Sequence, residues 1–569
     1  MSQKLQTLKS RLKRTGAALL IGTAALGLVA CGGDKGDGGG KSSTSSNLVS
    51  VDLKGGKSPL DKSFAYKQGE ELDVDAFFAA ASDNEEMPFT YDSSTFDKKT
   101  GATIITNLVS KDDSDSFSIG RLELYGVNQD NILALKGDEA TDGQLDIFRK
   151  IRAFDVSFTD PDSGSSKFSI GALEVDSLKI KGHGAGAEEA LKDGQELAMA
   201  LDSFSLGGVY LKDLSLDAME AEDMGIAMKV ADLRFGAMQD GKFGGLYMAD
   251  VEYSMEQSPE MRAMMLGELD ANTRAMFEGP LGNLLFPENS QGTISKVTWD
   301  GMNISGLMEY LRSGEKPPFS AKNLIWVGGM EINDTVTKIN GVQAASIGRS
   351  VLDPIEFEWL VPTRIASREE DGVYNIGALM PEGAEALTAL VKENGLEAVK
   401  YEADFLWDYD TKKGNAKLVS DTKMNGLANF YLDLKLADAP LEPLLTGMEA
   451  EDQTVIQNIA LEGMTLRIED EKLLNFVFGV AGQQYGQDAE QMRQTAVGMM
   501  GFASMQAAQL GPDYVDYVSA VQGFMTDGGI LEISIAPKEK LTMAVLADLE
   551  EAGPEAIPGI LGLSVTHKK

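Results

Sequence analysis

Past residue 100, hydrophobic and polar residues alternate with a period of two, in runs broken by Gly, Asn and Asp. That period sends successive side chains to opposite faces of a strand and predicts half-buried antiparallel sheet. Three runs are variants of one pattern: SFSIGRLELYGV (116–127), KFSIGALEVDSLKI (167–180) and SFSLGGVYLKDLSL (203–216). Each reads Phe-Ser-[Ile/Leu]-Gly-x-[Leu/Val]-x-[Leu/Val], and KFGGLYMADVEY (242–253) is a fainter echo. In the first copy Phe117 and Ile119 share a face, while Leu122 and Leu124 fall out of phase with them. A β-bulge at the intervening glycine (Gly120, Gly171, Gly207) would return all four to the core side. The copies start at Phe117, Phe168 and Phe204, a spacing too irregular for a solenoid, and predict a repeating β-meander.

Turn chemistry agrees with this. Asp97-Lys-Lys-Thr-Gly101, Asp160-Pro-Asp-Ser-Gly164, Gln239-Asp-Gly241 and Asp410-Thr-Lys-Lys-Gly-Asn415 each separate two strand-like runs. Later strands are expected at KVTWDG (296–301), NLIWVG (323–328), IEFEWLV (355–361), YEADFLWDYD (401–410) and LANFYLDLKL (427–436). ALEGMTLRI (460–468), ILEISIA (530–536), LTMAVLA (541–547) and a final LGLSVTH complete the set. Helical periodicity appears at 71–83, 187–200, 258–285, 303–312, 381–395, 439–450 and 470–525, interrupting the strands rather than alternating with them. The class is therefore α+β: a large antiparallel β-meander with packed helices, including a long Met/Ala-rich helical segment near the C-terminus.

Within that segment no residue from Gln494 to Pro512 is charged, and Met499, Met500, Phe502 and Met505 are mixed with Ala and Gly. Nineteen residues with three glutamines fall short of a membrane span. The expectation is a buried helix packed on the sheet, with methionine filling irregular gaps; the sharper alternative is the lining of an apolar ligand groove. All four tryptophans (Trp299, Trp326, Trp359, Trp407) lie in strand-like runs. Alternation puts Ile355, Phe357 and Trp359 on one face, and Ala403, Phe405 and Trp407 on another, where core burial is the ordinary fate of large aromatics.

The N-terminus carries a different signal. Lys4, Lys9, Arg11, Lys13 and Arg14 precede the apolar stretch TGAALLIGTAALGLVA, which ends in Leu28-Val29-Ala30-Cys31. Cys31 is the only cysteine in the chain. The segment resembles the lipobox of bacterial lipoproteins, in which a small residue precedes the cysteine that is acylated before cleavage. The resemblance implies a lipid attachment at Cys31 and, with Gly32 and Gly33 following instead of the aspartate of inner-membrane retention, a protein anchored in the outer membrane and facing the periplasm. The chain then divides into a signal peptide (1–30), a flexible Gly/Ser tether (31–50), a β-meander with FSIG-type repeats and closing helices (51–290), and an α+β domain with the long helical segment (291–569). The Pro287-Glu288-Asn289-Ser290 break after the 258–285 helical stretch sets the last boundary. From Leu473 onward the order long helix, strand, short helix, strand is similar to uncharacterised proteobacterial envelope proteins and carries no diagnostic motif.

Of 569 residues, 88 are acidic and 51 basic, a formal charge of −37, and two are histidine. Loss of the five basic residues of the signal takes the charge to −42. This excludes a nucleic-acid surface built on clustered Lys and Arg, and two histidines leave little room for histidine catalysis or zinc. Gly236-Ala-Met-Gln-Asp-Gly-Lys242 begins like a P-loop, but Phe243 stands where the Mg²⁺-binding Ser or Thr belongs and a strand follows. Ser313-Gly-Glu-Lys316 and Lys99-Thr-Gly101 match fragments of penicillin-binding enzymes in the wrong order. His183 and His567 have no motif partners and read as surface histidines. The Asp112-Asp113-x-Asp115, Asp160-x-Asp162 and Asp408-x-Asp410 clusters read as solvated turns. The sequence thus yields no catalytic residue, metal ligand or cofactor, and one attachment site, Cys31. The expected role is a non-enzymatic, lipid-anchored envelope protein acting as a binding or scaffold module, with the membrane and an envelope protein or lipid as partners and no nucleic acid. A carrier of lipid or another apolar ligand, and a carboxylate-dependent envelope hydrolase, are the alternatives.

Overall fold

The computed structural model describes residues 52–81, 89–110, 116–135, 139–159, 167–183, 194–220, 224–258, 289–379, 385–450, 452–547 and 553–569, with Gly267 and Leu549. The 258–285 helical stretch, the Asp112 and Asp160 clusters, and everything before Asp52, Cys31 included, lie outside them.

The described residues contain 25 strands and 12 helices, an α+β fold. Seventeen strands form one unbroken antiparallel meander. It opens with β1 (Ala102–Ser110), β2 (Ser116–Tyr125), β3 (Leu145–Thr159), β4 (Lys167–Ile180), β5 (Phe204–Glu220) and β6 (Met224–Phe235). It continues through β7 (Leu246–Gln257), β8 (Asn289–Trp299), β9 (Met330–Ile339), β10 (Val342–Leu352), β11 (Val361–Tyr374) and β12 (Val399–Asp410). It closes with β13 (Asn415–Met424), β14 (Ala428–Ala437), β15 (Ala460–Asp470), β16 (Gly529–Ile535) and β17 (Leu563–Lys568). Each pairs with its predecessor and successor. Sixteen strand spacings make the sheet about 77 Å wide along its hydrogen bonds. The boundary expected at 290/291 falls at the start of β8, which pairs with β7 on one side and β9 on the other, so the sheet runs through it.

Three of the four hairpin turns form where expected, and the fourth, at 160–164, lies outside the described residues. Asp97 accepts from the Lys99 amide (2.9 Å) and the Thr100 hydroxyl (2.7 Å), and Asp410 accepts from the Lys412 and Lys413 amides. The P-loop-like stretch is the two-stranded hairpin Met238–Gln239 and Lys242–Phe243.

The glycine break in the FSIG copies proves to be part of a larger feature. Asn107, Asp155, Asp213, Asp250, Asp334 and Asp371 all sit at φ between 50 and 55°, the left-handed region that Asp and Asn tolerate better than other side chains. They occupy β1, β3, β5, β7, β9 and β11. The register sets Gly120, Gly171, Ala231, Ser295 and Gly348 of β2, β4, β6, β8 and β10 between them. One crease therefore crosses eleven strands at a single level, with Asp or Asn on every odd strand and a small residue on every even one. It lets residues three apart face the same core: Ile105 and Leu108, Ile119 and Leu122, Ala153 and Val156 are all buried. The individual bulges expected at Gly120 and Gly171 are not needed, because each neighbouring strand carries the same extra residue and the register holds. A true register shift appears where the crease ends, between Glu369 and Gly372 against β12. Gly207 lies off the crease, opposite Ser177.

On the core face, Val74 and Phe78 of α1 (Val74–Ala81) join Ile105, Leu122, Val230, Leu233 and Val297 in the largest apolar cluster. A second cluster gathers Leu324, Trp359, Tyr409, Ala416 and Leu441 against α4 (Ser305–Ser313) and α6 (Leu441–Glu449); α2 (Gln129–Leu135) and α3 (Gln195–Asp202) precede them in the chain. A third joins Val391 of α5 (Glu385–Glu393) to Leu396 and Val399. Trp359 departs from the expected alternation: it follows the short strand Glu356–Glu358 at φ 58°, buried, with its indole N–H donating to Pro317 O at 3.0 Å. LTMAVLA, read as a strand, forms only the two-residue strand Leu541–Thr542 before a short helix, Met543–Ala547.

Candidate interaction site

Two features of this fold have the makings of a site. The first is on the polar face of the sheet. Glu123, Arg152, Glu174, Tyr210, Arg234, Tyr247 and Thr298 stand directly opposite one another on β2 through β8, and all seven are buried. What covers them is the start of the described chain, residues 52–69, which crosses the strands from β7 back to the turn before β1. Arg234 Nη2 donates to Gly56 O at 2.7 Å, and Arg152 Nη2 donates to Lys62 O at 2.8 Å. Between them Lys212 pairs with Asp61, Phe64 packs edge-on against Tyr125, and the Tyr66 amide donates to Thr100 O. Glu174, with 0% exposure, accepts from Lys150 Nζ and from Arg152 Nε at 2.7 Å; Lys150 also meets Asp176 and lies 4.5 Å above the Phe64 ring. Burial and the neighbouring Asp176 and Glu174 carboxylates push Tyr210 up to about 12. Removing one partner from such a buried set leaves the other charge uncompensated, which makes the latch costly to break. The arrangement is a strap latched to the sheet.

The second feature is the C-terminal helical hairpin: α8 (Leu473–Tyr485), α9 (Ala489–Leu510) and α10 (Pro512–Asp527), after the short α7 (Gln453–Gln457). A capping box fixes the start of α9: the Gln491 amide donates to Asp488 Oδ1 at 2.7 Å, and the Asp488 amide to Gln491 Oε1. α10 packs on the sheet edge, where the Tyr517 hydroxyl donates to Leu563 O at 2.6 Å and Phe524 meets the His567 ring. α9 reaches the body of the protein through α8 and α10. Only Ala507 of α9 is buried, while Met499, Phe502 and Met505 are 67, 74 and 69% exposed. This corrects the expectation of a helix buried on the sheet: Met499, Phe502 and Met505 of the uncharged stretch form a stripe on the outside. Gly498 and Gly501 beside it have open space where a Cβ would stand.

The remaining sequence candidates are accounted for locally. His183 Nε2 lies 2.9 Å from the Ser203 hydroxyl and His567 Nε2 2.7 Å from Gly528 O; both are half-buried and hydrogen-bonded rather than free on the surface. Ser313 donates to Tyr310 O at the end of α4, and Lys316 lies over the Phe319 and Trp359 rings. Burial holds the Glu369 carboxyl above its ordinary range beside Tyr374 and Tyr401, whose rings stack 4.5 Å apart. Among the described residues no three His, Cys, Asp or Glu side chains gather as a metal site. Two shallow depressions of 320 and 350 Å³ open on the sheet, the first lined by Asp433, Lys435, Glu462 and Thr465, the second by Lys229, Glu252 and Gln291. No described helix is long and apolar enough to cross a membrane. The buried charge row escaped sequence reading because its members alternate with core residues like any polar strand position; its one signal was the alternating charge of Glu123, Arg152 and Glu174 in three successive strands.

A family model described as "Uncharacterized protein" matches residues 421–568, just over a quarter of the chain, from within β13 to β17 and including the helical hairpin. No curated protein matches the chain.

Proposed function

We propose that this is a non-enzymatic, lipid-anchored cell-envelope protein, held in the outer membrane through acylated Cys31 and facing the periplasm, whose long sheet serves as a binding or scaffold module. The latched strap carries the reading. The expected tether (31–50) leads to Asp52, and within fifteen residues of that point the chain is held on β6, β5, β3 and β2. The latch fixes where the expected tether joins the sheet, so the body hangs from its anchor by one defined edge and within the tether's reach. Expression of Cys31→Ser with membrane fractionation tests it. The variant is expected in the soluble fraction and without acyl mass; a variant still sedimenting with membranes defeats the anchor.

A second reading, a carrier of lipid or another apolar ligand, draws on the second half of the sheet. There Phe405, Trp407, Phe430, Leu432, Leu434 and Leu466 share one face and are only half-buried. Native mass spectrometry of residues 48–569 separates the two: a bound apolar molecule at fixed stoichiometry favours the carrier, and a ligand-free mass favours the scaffold.

A further inference from the structure

We infer that the outer face of α9 docks onto a lipid surface as a second membrane contact beside the acylated cysteine; the inference rests on the anchored reading above. Met499, Phe502 and Met505 follow one another at three-residue steps and point away from the protein, each about two-thirds exposed or more. Together they show roughly 400 Å² of apolar side chain, about half of what one partner contributes to a stable protein interface, so a second copy of this chain is poorly matched to the stripe. Shallow insertion among lipid headgroups needs no such area.

Charge points the same way. In a chain of formal charge −37, the stretch from Gln494 to Pro512 carries none, so it is a face that approaches a phosphate-rich surface without repulsion. Without Lys or Arg on α9 past Arg493, its own affinity is weak, and it needs to be held close. The expected tether supplies that: Gly/Ser sequences of some twenty residues span about 25 Å as random coils, a reach that would keep the body near the bilayer holding Cys31. Gly498 and Gly501, which meet nothing in the structure, leave the flank of the stripe flat.

The test uses the acylated full-length protein carrying Phe502→Cys, whose new thiol is the only free one because Cys31 is acylated. It is labelled with an environment-sensitive dye and reconstituted into phosphatidylcholine vesicles, with Lys98→Cys at the far end of the sheet as control. Emission from position 502 is expected to shift to the blue, rise about twofold and be quenched by lipid-borne quenchers, with position 98 unchanged. Adding anionic lipid is expected not to strengthen the signal. A water-like label at 502 on protein that floats with the vesicles overturns the docking and leaves the anchor standing. Protein that fails to float overturns the anchor itself. A blue shift that depends on protein concentration without vesicles assigns the stripe to a second copy and overturns the lipid.

Discussion

At residue scale the crease rests on pairs such as Gly171 and Asp213. A Cβ built on Gly171 would lie 3.0 Å from Asp213 Cβ, and Asp213 is itself held at φ 51°. Gly171→Ala is expected to cost about 1–2 kcal/mol in chemical denaturation, the usual price of a forced shift in a packed sheet. Asp213→Gly removes the opposing Cβ and relaxes the left-handed backbone, so the double variant is expected to recover most of that loss. A fully additive cycle would separate the two residues. Glu369 makes a different kind of prediction. Its carboxyl is raised by burial, partly offset by the Tyr401 hydroxyl, so the folded state holds its proton longer than the unfolded chain. Stability then falls as pH rises from about 4.3 through the folded value, and is unaffected below it. Thermal melts of Glu369→Gln are expected to match the parent in acid and to exceed it progressively toward neutral pH. Parallel curves at every pH would remove Glu369 from the account.

At the scale of elements, α9 is built against helix propensity. Gly498 and Gly501 each weaken a helix interior by about 1 kcal/mol relative to alanine, and neither is required by a neighbour. Gly498→Ala and Gly501→Ala are therefore expected to stabilise the hairpin, read as slower amide exchange over Ala489–Leu510; faster exchange would mean the glycines relieve a contact. The contrast between this helix and the strands shows what the sequence makes legible. Period two marks β2, β4 and β5 on either side of the crease, because one face of each is apolar core and the other carries polar groups. The same logic misreads α9: absence of charge signals exclusion of water in general, and burial against the sheet is only one way to achieve it. The crease was half visible. The glycines of the FSIG copies stood out, whereas Asp155 and Asp213 passed as ordinary outward polar positions, since backbone sign leaves no mark on polarity. The strap was invisible, because residues 52–69 have no period and take their conformation from Arg152, Arg234 and Lys150 far along the chain. Cys31 lies outside the described residues, and its acylation remains the expectation that the fractionation experiment tests.

At the scale of the whole molecule, the buried charge row makes the N-terminal strap and the first half of the sheet one unit. Glu174→Gln leaves Lys150 and Arg152 facing a neutral amide in a buried site, with Asp176 as the one remaining carboxylate beside Lys150. Breaking such a pair is expected to cost about 3–5 kcal/mol and to expose residues 52–69 to protease before the sheet unfolds. Simultaneous cleavage throughout the chain would show that Glu174 is not what holds the strap to the sheet.

The crease also says how a sheet of this length is assembled from parts. Left-handed Asp or Asn on one strand fits only beside a small residue on the next, so two adjacent strands form a matched tile with complementary borders. Adding or removing one tile, a complete hairpin, leaves every border compatible; adding or removing a single strand brings aspartate against aspartate. Growth in this sheet is therefore even-numbered from β1 to β11, and relatives that differ in length within that region should differ by pairs of strands.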